Sequence, residues 1–192
     1  MDLIRLKTNI IAKLKDGLSE KLTYHCVEHT LAVLECCNLY IKRLNIGEKD
    51  ARLLRTAALF HDTGFMSGYD EHEELGIVYA RKILPDWGYS SEEIETIAGI
   101  IRATKIPQQP HTLLEEIIGD SDLDYLGTDK FYEIGELLYK ELVAMGKIQT
   151  REQWNQLQIG FLQKHRYHTD FAQKHREPVK QKHLEELIKN KE

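Results

Sequence analysis

Hydrophobic residues recur every three or four positions along most of the chain, which is the spacing of one face of an α-helix. The strict alternation of apolar and polar residues that marks half-buried strands is hardly seen over useful lengths. The pattern predicts helices at about 2–15, 23–44, 48–61, 71–84, 90–105, 112–120, 128–145, 151–166 and 178–190. The sequence therefore predicts an all-α fold.

The helix at about 23–44 is predicted to lie at the centre of this fold. Its charged residues Glu28, Glu35 and Lys42 form one stripe at seven-residue spacing, and almost every other position is apolar or small. A helix whose charged residues form one narrow stripe is expected to be buried around most of its circumference.

Helix boundaries are marked by capping residues and prolines. A Ser or Thr followed three residues later by Glu or Gln is a capping box, which opens a helix. The chain has this pattern at Ser90 with Glu93, Thr112 with Glu115 and Thr150 with Gln153. Pro85 is predicted to end one helix, and Pro107 with Pro110 is predicted to enforce a turn.

The composition of the chain argues against several classes of protein. The 192 residues carry a net charge of -5, which argues against a general nucleic-acid-binding surface. No apolar run approaches the ~18 residues of a membrane span. The three cysteines have no zinc-like spacing, and the first residues continue into an amphipathic pattern without a signal-peptide core. We therefore expect a cytoplasmic protein with reduced cysteines.

Two histidines occupy one predicted helix face. His25 and His29 are four residues apart, so their rings should lie one turn from each other. That face is turned away from the charged stripe, and both rings should therefore point into the protein. Buried imidazoles without partners are costly, which makes both residues candidates for a functional site.

Carboxylates and a third histidine complete a candidate metal site. The pair His61-Asp62 ends an apolar helix, and a turn rich in carboxylates holds Asp120, Asp122 and Asp124. Carboxylates so close together repel one another unless they are solvated or bind a cation. Imidazoles and carboxylates together suit a divalent metal and leave positions for water and substrate. The alternative is a buried polar network, or helix ends capped by these side chains.

Four segments together resemble the HD-domain metal-dependent phosphohydrolase superfamily. In chain order they are YHCVEHT, LFHDTGF, HEELG and GDSDLDYLG, and the resemblance spans about residues 20–145. It implies an all-α HD-domain helical bundle within a single domain over 1–192, with a C-terminal helical extension at about 146–192. By this resemblance the metal ligands are His29, His61, Asp62 and Asp122. The expected cofactor is a divalent metal ion: Mn, Fe, Co, Ni, Zn or Mg.

The resemblance also implies roles for residues around the metal. Asp62 or Asp122 would orient the attacking water, and His25 matches a histidine that protonates the leaving group in related phosphodiesterases. His72 resembles an extra histidine that binds a second metal or lines the pocket, and Lys105 could neutralise a substrate phosphate. The stretch before Asp122 lacks the further histidines of two-metal families, which counts against a complete second metal site. His25 as a core histidine, His72 as a helix cap and Lys105 as a solvated lysine are the alternatives.

The predicted function is metal-dependent hydrolysis of a phosphomonoester or phosphodiester bond in a nucleotide or other small organic phosphate. Two alternatives stay open: a regulatory module that binds a metal or nucleotide without turnover, and a di-iron oxygenase. The expected partner is a small-molecule phosphate, with no nucleic acid and no membrane, and a homodimer is left open. The histidine- and lysine-rich segment at about 164–183 is interpreted as a solvated helical face.

Overall fold

The computed structural model describes residues 2–189, and all regular structure in this range is helical. The helices are α1 Leu3–Gly17, α2 Val27–Leu44, α3 Glu48–Phe60, α4 His72–Ile83, α5 Ser91–Arg102, α6 Leu113–Asp122, α7 Phe131–Ala144, α8 Arg151–Lys164, α9 Asp170–His175 and α10 Glu177–Lys189. Short 3₁₀ helices cover Thr63–Met66, Leu84–Trp87 and Asp124–Gly127. The predicted all-α fold is confirmed.

The chain forms two compact units. The first contains the described residues up to Ser19 together with His25–Asp122, and the second contains Glu20–Tyr24 together with the described residues from Leu123 onward. The single domain predicted from the sequence, with its extension from about residue 146, stays a prediction beside this division. None of the described helices is long and apolar enough to span a membrane.

The core of the first unit is organised around α3, which packs against α1, α2, α4, α5 and α6. From Leu53 to Phe60 every residue of α3 except Arg55 is buried. Helix α2 was predicted to be the central one, but it buries only one face, and Ala32 and Asn38 are exposed along with its charged stripe. Because the second half of α3 is covered by these helices, the residues that follow it emerge from the middle of the core.

Helix α2 also begins later than predicted, at Val27. The preceding residues are held in the second unit, where the Thr23 hydroxyl donates to the carbonyl of Leu137 at 2.7 Å. The Tyr24 N–H donates to the Glu141 carboxylate at 2.9 Å. These bonds keep the backbone out of the helix, so His25 lies before α2. The expectation that His25 and His29 share a helix face is wrong.

Two of the three predicted capping boxes form completely, at Ser90 with Glu93 and at Thr150 with Gln153. At the third, the Glu115 N–H donates to the Thr112 hydroxyl at 3.3 Å, but the Glu115 carboxylate accepts from the N–H of His111 at 2.6 Å. Helix α6 then continues to Asp122, two residues further than predicted. The carboxylates of Asp120 and Asp122 therefore lie on a helix rather than in a turn.

In the second unit, α10 packs against α8, α9 and the 3₁₀ helix Asp124–Gly127. Helix α9 and all three 3₁₀ helices were missed by the sequence pattern, because each is too short to show a helical period. The buried side chains of this unit include aromatic and aliphatic residues, and also the lysine of α10, Lys180.

Candidate metal centre

Three elements of the first unit bring two histidines and two aspartates together. His29 lies in the first turn of α2, His61 and Asp62 directly follow α3, and Asp122 is the last residue of α6. The cluster thus forms where α3 emerges from the core between two neighbouring helices. His61 is completely buried, and Asp62 is 3% exposed.

The nitrogen and oxygen atoms of this cluster face one another. His29 Nε2 lies 3.0 Å from Asp122 Oδ1 and 3.4 Å from His61 Nε2. His61 Nε2 lies 3.5 Å from Asp122 Oδ1. One ligand atom from each of His29, His61 and Asp122 is therefore placed where the three could bind the same metal ion, since all three atoms lie within 4.8 Å of one another.

Asp62 adds a fourth atom to this group. Its Oδ2 lies 3.2 Å from His61 Nε2 and 3.5 Å from His29 Nε2. This oxygen is buried, yet it accepts no hydrogen bond from any described residue. A buried carboxylate oxygen without a partner is costly, and a cation bound between these side chains would remove that cost.

The donor set fits a divalent metal ion. The Nδ1–H of His61 donates to the carbonyl of Ala58 at 2.9 Å, so a neutral His61 ring, the form that binds a metal, has its lone pair on Nε2, inside the cluster. Metal–ligand bonds of about 2.1 Å place neighbouring ligand atoms about 3.0 Å apart in an octahedron and about 3.4 Å apart in a tetrahedron. The distances of the cluster lie in this range, and mixed imidazole and carboxylate ligands suit first-row divalent metals.

The electrostatics of the cluster favour positive charge. Burial lowers the pKa of His61, but the carboxylates of Asp62 and Asp122 outweigh burial and raise this pKa well above its usual value. Burial acts in the opposite direction on both carboxyl groups, yet the neighbouring histidines hold the pKa of Asp62 and of Asp122 far below the usual range. Both carboxylates are therefore charged at neutral pH.

His72, at the start of α4, lies beside this cluster. Its Nε2 is 3.7 Å from Asp62 Oδ1 and 3.6 Å from the Glu73 carboxylate. The side chain is 21% exposed. Burial lowers the pKa of His72, although the two carboxylates partly offset this effect. The imidazole is thus neutral at neutral pH, and it lies next to the second oxygen of a cluster carboxylate.

Two glycines let α4 approach closely enough to place His72 there. A Cβ on Gly64 would lie 1.8 Å from the carbonyl oxygen of His72, and one on Gly76 would lie 3.1 Å from the carbonyl oxygen of Phe60. The 3₁₀ helix that follows Asp62 therefore touches α4 backbone to backbone. Only residues without a side chain allow this contact.

Four aromatic rings form a wall beside the cluster. The Phe65 ring lies 4.0 Å from the His72 ring and stacks on it, and it lies 4.3 Å from the ring of His25. Tyr69 packs edge-on against Phe65 at 5.3 Å. The His25 ring is 6.0 Å from that of His29. His25 is thus close to the cluster, although it reaches this position from the loop before α2.

Lys105 lies outside the cluster in the described structure. Its exposed ammonium pairs with the Glu71 carboxylate at 2.5 Å, and this pairing raises the pKa of Lys105. Glu71 directly precedes His72 and has a left-handed backbone, with φ of 56°. The predicted contact of Lys105 with substrate stays a prediction.

Sequence reasoning missed two kinds of site residue. Phe65 and Tyr69 shape the ring wall, and their only signal is that they closely follow the His-Asp pair in the chain. The carbonyl of Ala58, which orients His61, carries no side-chain signal at all. The segment LFHDTGF did contain one usable sign, Gly64, because a glycine directly after a candidate ligand indicates close backbone approach.

The HD domain family model matches residues 26–125, which include all four residues of the cluster. The chain belongs to the HD domain family. Among solved structures, it is similar to a predicted HD superfamily hydrolase from an uncultured Thermotogales bacterium. That likeness has a TM-score of 0.55 and 22% identity, and it covers 85% of this chain and 96% of the other. At this identity it shows a shared fold. No curated protein matches the sequence.

Proposed function

We propose that this HD-domain protein is a metal-dependent phosphohydrolase that cleaves a phosphomonoester or phosphodiester bond in a nucleotide or other small organic phosphate. The observation that carries the proposal is the buried Asp62 Oδ2, which accepts no hydrogen bond within residues 2–189 and faces two imidazole nitrogens. Membership in the HD family supports it, as does the fold shared with a predicted hydrolase.

In this proposal His29, His61, Asp62 and Asp122 bind one divalent ion. Such an ion polarises a phosphoryl oxygen and makes hydroxide available near neutral pH. The hydrogen bond to the carbonyl of Ala58 fixes the ring of His61, so that Nε2 is the nitrogen available to the ion.

Proton transfer is assigned to the two histidines whose rings contact Phe65. His25 and His72 are both partly exposed, whereas His61 and Asp62 are buried. We assign to His25 the donation of a proton to the leaving oxygen. His72 is the alternative donor, and Asp62, whose Oδ1 faces His72, orients the attacking water. Lys105 would bind a substrate phosphate once it leaves Glu71.

Two of the three cysteines, Cys26 and Cys37, do not supply an alternative nucleophile. Cys26 is half-buried at the start of α2, and burial raises the pKa of its thiol. Cys37 is completely buried, and burial raises its pKa to about 12. The thiolate is the nucleophilic form, so neither side chain is activated at neutral pH.

The test is a screen of the purified protein against phosphomonoesters and nucleotides, before and after exhaustive chelation. Chelation should abolish turnover, and Mn or another divalent ion should restore it. Unchanged turnover in the chelated protein would contradict the proposal. Metal binding without turnover on any substrate would instead favour the regulatory module.

His25→Ala and His29→Ala should differ in this assay. His29→Ala should weaken metal binding, whereas His25→Ala should keep the metal and lower kcat by about 10²–10⁴-fold, the usual effect of losing a general acid. The loss should shrink on a nitrophenyl ester, whose leaving group departs without a proton. If His25→Ala slows both substrates equally, the donor role passes to His72.

A further inference from the structure

The second unit holds the residues that directly precede His25. Glu20–Tyr24 belongs to this unit, and two residues one turn apart on α7 bind it: the carbonyl of Leu137 accepts from Thr23, and the Glu141 carboxylate accepts from the N–H of Tyr24. Glu141 is completely buried. The backbone is thus fixed up to the residue before His25.

The same unit holds the residues that directly follow Asp122. The hydroxyl of Tyr167, a residue that is 2% exposed, donates to the carbonyl of Leu123 at 3.1 Å and to that of Asp124 at 3.3 Å. The Arg176 guanidinium binds both oxygens of the Asp124 carboxylate, at 2.7 Å and 3.2 Å. The Tyr167 hydroxyl thus shares its hydrogen between two carbonyls just beyond the end of α6, where helical partners are lacking, while Arg176 holds the side chain of Asp124.

The two held segments also contact each other. The ring of Tyr24 lies 5.7 Å from that of Tyr125. Gly127 approaches Arg176 so closely that a Cβ would lie 2.5 Å from the Arg176 carbonyl oxygen. Residues 20–24 and 123–127 are therefore fixed together within the second unit, and each is joined by one peptide bond to a residue of the metal centre or its ring wall.

We propose that the second unit positions the site through these two segments, with Glu141 acting as the positioning residue for His25, and with Tyr167 and Arg176 acting as the positioning residues for Asp122. The proposal rests on the proposed function, which assigns proton donation to His25 and metal binding to Asp122. A productive site must hold its groups within about 0.5 Å, and such accuracy needs fixed neighbours. His25 lies in a loop and Asp122 at a helix end, so neither is fixed by helical bonds on both sides.

The Asp122 side is tested by titrating the metal-free protein with Co²⁺, followed by calorimetry and by the visible absorption of bound Co²⁺. Tyr167→Phe and Arg176→Met should each weaken binding by about tenfold, as expected for outer partners of a metal ligand. Each should also change the Co²⁺ spectrum. Tyr132→Phe and Arg151→Met are matched controls, because they remove a hydroxyl bonded to Glu186 and a guanidinium paired with Glu136 in the same unit.

The Glu141 side should show a different effect. Glu141→Leu removes the acceptor of the Tyr24 N–H, and it should lower kcat on an alkyl phosphate while Co²⁺ affinity stays unchanged. Glu141→Gln keeps an acceptor oxygen and should restore most of the activity. If Glu141→Leu fails to fold, the Co²⁺ titration of Tyr167→Phe still decides the other half of the proposal.

The outcomes separate this proposal from the proposed function. If Asp122→Asn leaves Co²⁺ binding unchanged, the ligand assignment is wrong. If Asp122→Asn weakens binding but Tyr167→Phe and Arg176→Met behave like their controls, only the positioning role is wrong. Equal loss of Co²⁺ affinity in Glu141→Leu and Tyr167→Phe would indicate a general structural defect and would overturn the separation into two roles.

Discussion

The two units each bury a cluster of charged and polar groups, and the two clusters differ in the kind of atom that is left without a partner. In the second unit the Lys180 ammonium is fully buried and donates to the carbonyl of His165 at 2.6 Å, to its Nδ1 at 3.3 Å and to Glu177 at 2.9 Å. The three hydrogens of the ammonium meet three acceptors, and the atom without a partner among the described residues is a donor, the ring N–H at Nε2 of His165. In the first unit, two carboxylates and two imidazoles meet, and the atom that receives no hydrogen bond from the described residues is an acceptor, Asp62 Oδ2.

The comparison teaches how a functional cluster can be told from a structural one. Burial and charge are common to both, so neither identifies the site. The Lys180 cluster carries its own cation, and its carboxylate therefore needs nothing from outside. The cluster of the first unit has an excess of acceptors, which a bound metal cation would complete. Unbalanced acceptors, rather than burial, are the physical sign of a binding site.

The largest effect is expected on metal affinity when the cluster of His29, His61, Asp62 and Asp122 loses a carboxylate. Asp62→Ala removes an anionic atom that faces both histidine nitrogens, so metal affinity should fall by at least about 100-fold, more than is typical for outer partners of a ligand. Elemental analysis and Co²⁺ titration measure this change. Equal metal content in the wild type and in Asp62→Ala would remove Asp62 from the ligand set.

A substitution in the Lys180 cluster should change the stability of the protein instead. Lys180→Met removes the cation that faces the Glu177 carboxylate and the shortest bond to the carbonyl of His165. These two acceptors then keep the bonds from Gln181 and Arg166, so the free energy of unfolding should fall by about 1–3 kcal/mol. Metal affinity should not change. Denaturant unfolding gives the first quantity, and Arg151→Met, which breaks an exposed pair with Glu136, serves as the control at less than about 1 kcal/mol. A stable Lys180→Met protein would show that the cluster is dispensable.

The close backbone contact beside the metal cluster gives a third test. Gly64→Ala introduces a Cβ into the space of the His72 carbonyl, which should cost about 1–3 kcal/mol and displace His72 from Asp62. Thermal unfolding and kcat should therefore fall together. Gly160→Ala is the control, because a Cβ there meets nothing within 4 Å. If Gly64→Ala matches this control, the close approach does not constrain the site.

The smallest effect is a pH dependence in the second unit. Burial first, and then the charge of Lys180, lowers the pKa of His165 from 6.5 to about 3. Below pH 6.5 His165 is protonated in the unfolded chain but stays neutral in the folded one. The free energy of unfolding therefore decreases progressively as pH falls from 6.5 towards 3. Between pH 6.5 and pH 5 the loss should be about 1–2 kcal/mol.

The matched variant for this prediction is His165→Asn, whose side-chain oxygen can replace Nδ1 as an acceptor but does not titrate. Its unfolding free energy should depend less steeply on pH than that of the wild type. Parallel pH profiles for the two proteins would mean that His165 takes up its proton equally in both states.

Much of the candidate site could be predicted because its residue types carry their own signal. His29, His61, Asp62 and Asp122 were named from motifs and resemblance, and the structure brings their atoms together; their roles as ligands stay a prediction. Three aspartates alternate at the end of α6, and local pattern alone does not rank them. The fold separates them physically, since Asp124 pairs with Arg176 in the second unit.

What the sequence could not show depends on contacts between distant residues. The start of α2 was misplaced because Thr23 and Tyr24 are held by residues 114 and 117 positions away. Their local pattern reads as helix, and only the tertiary hydrogen bonds overrule it. The greater burial of α3 over α2 has the same origin, because the burial of a helix depends on how its neighbours pack.

The assignment of residues 20–24 to the second unit has a consequence for synthesis on the ribosome. The partner of Tyr24, Glu141, is made 117 residues later, a delay of about 6–23 s at typical elongation rates of ~5–20 residues per second. During this interval the segment before His25 has no docking surface. Most helices of the first unit can therefore pack together early. The loop that carries His25 takes its final position only when α7 has emerged from the ribosome.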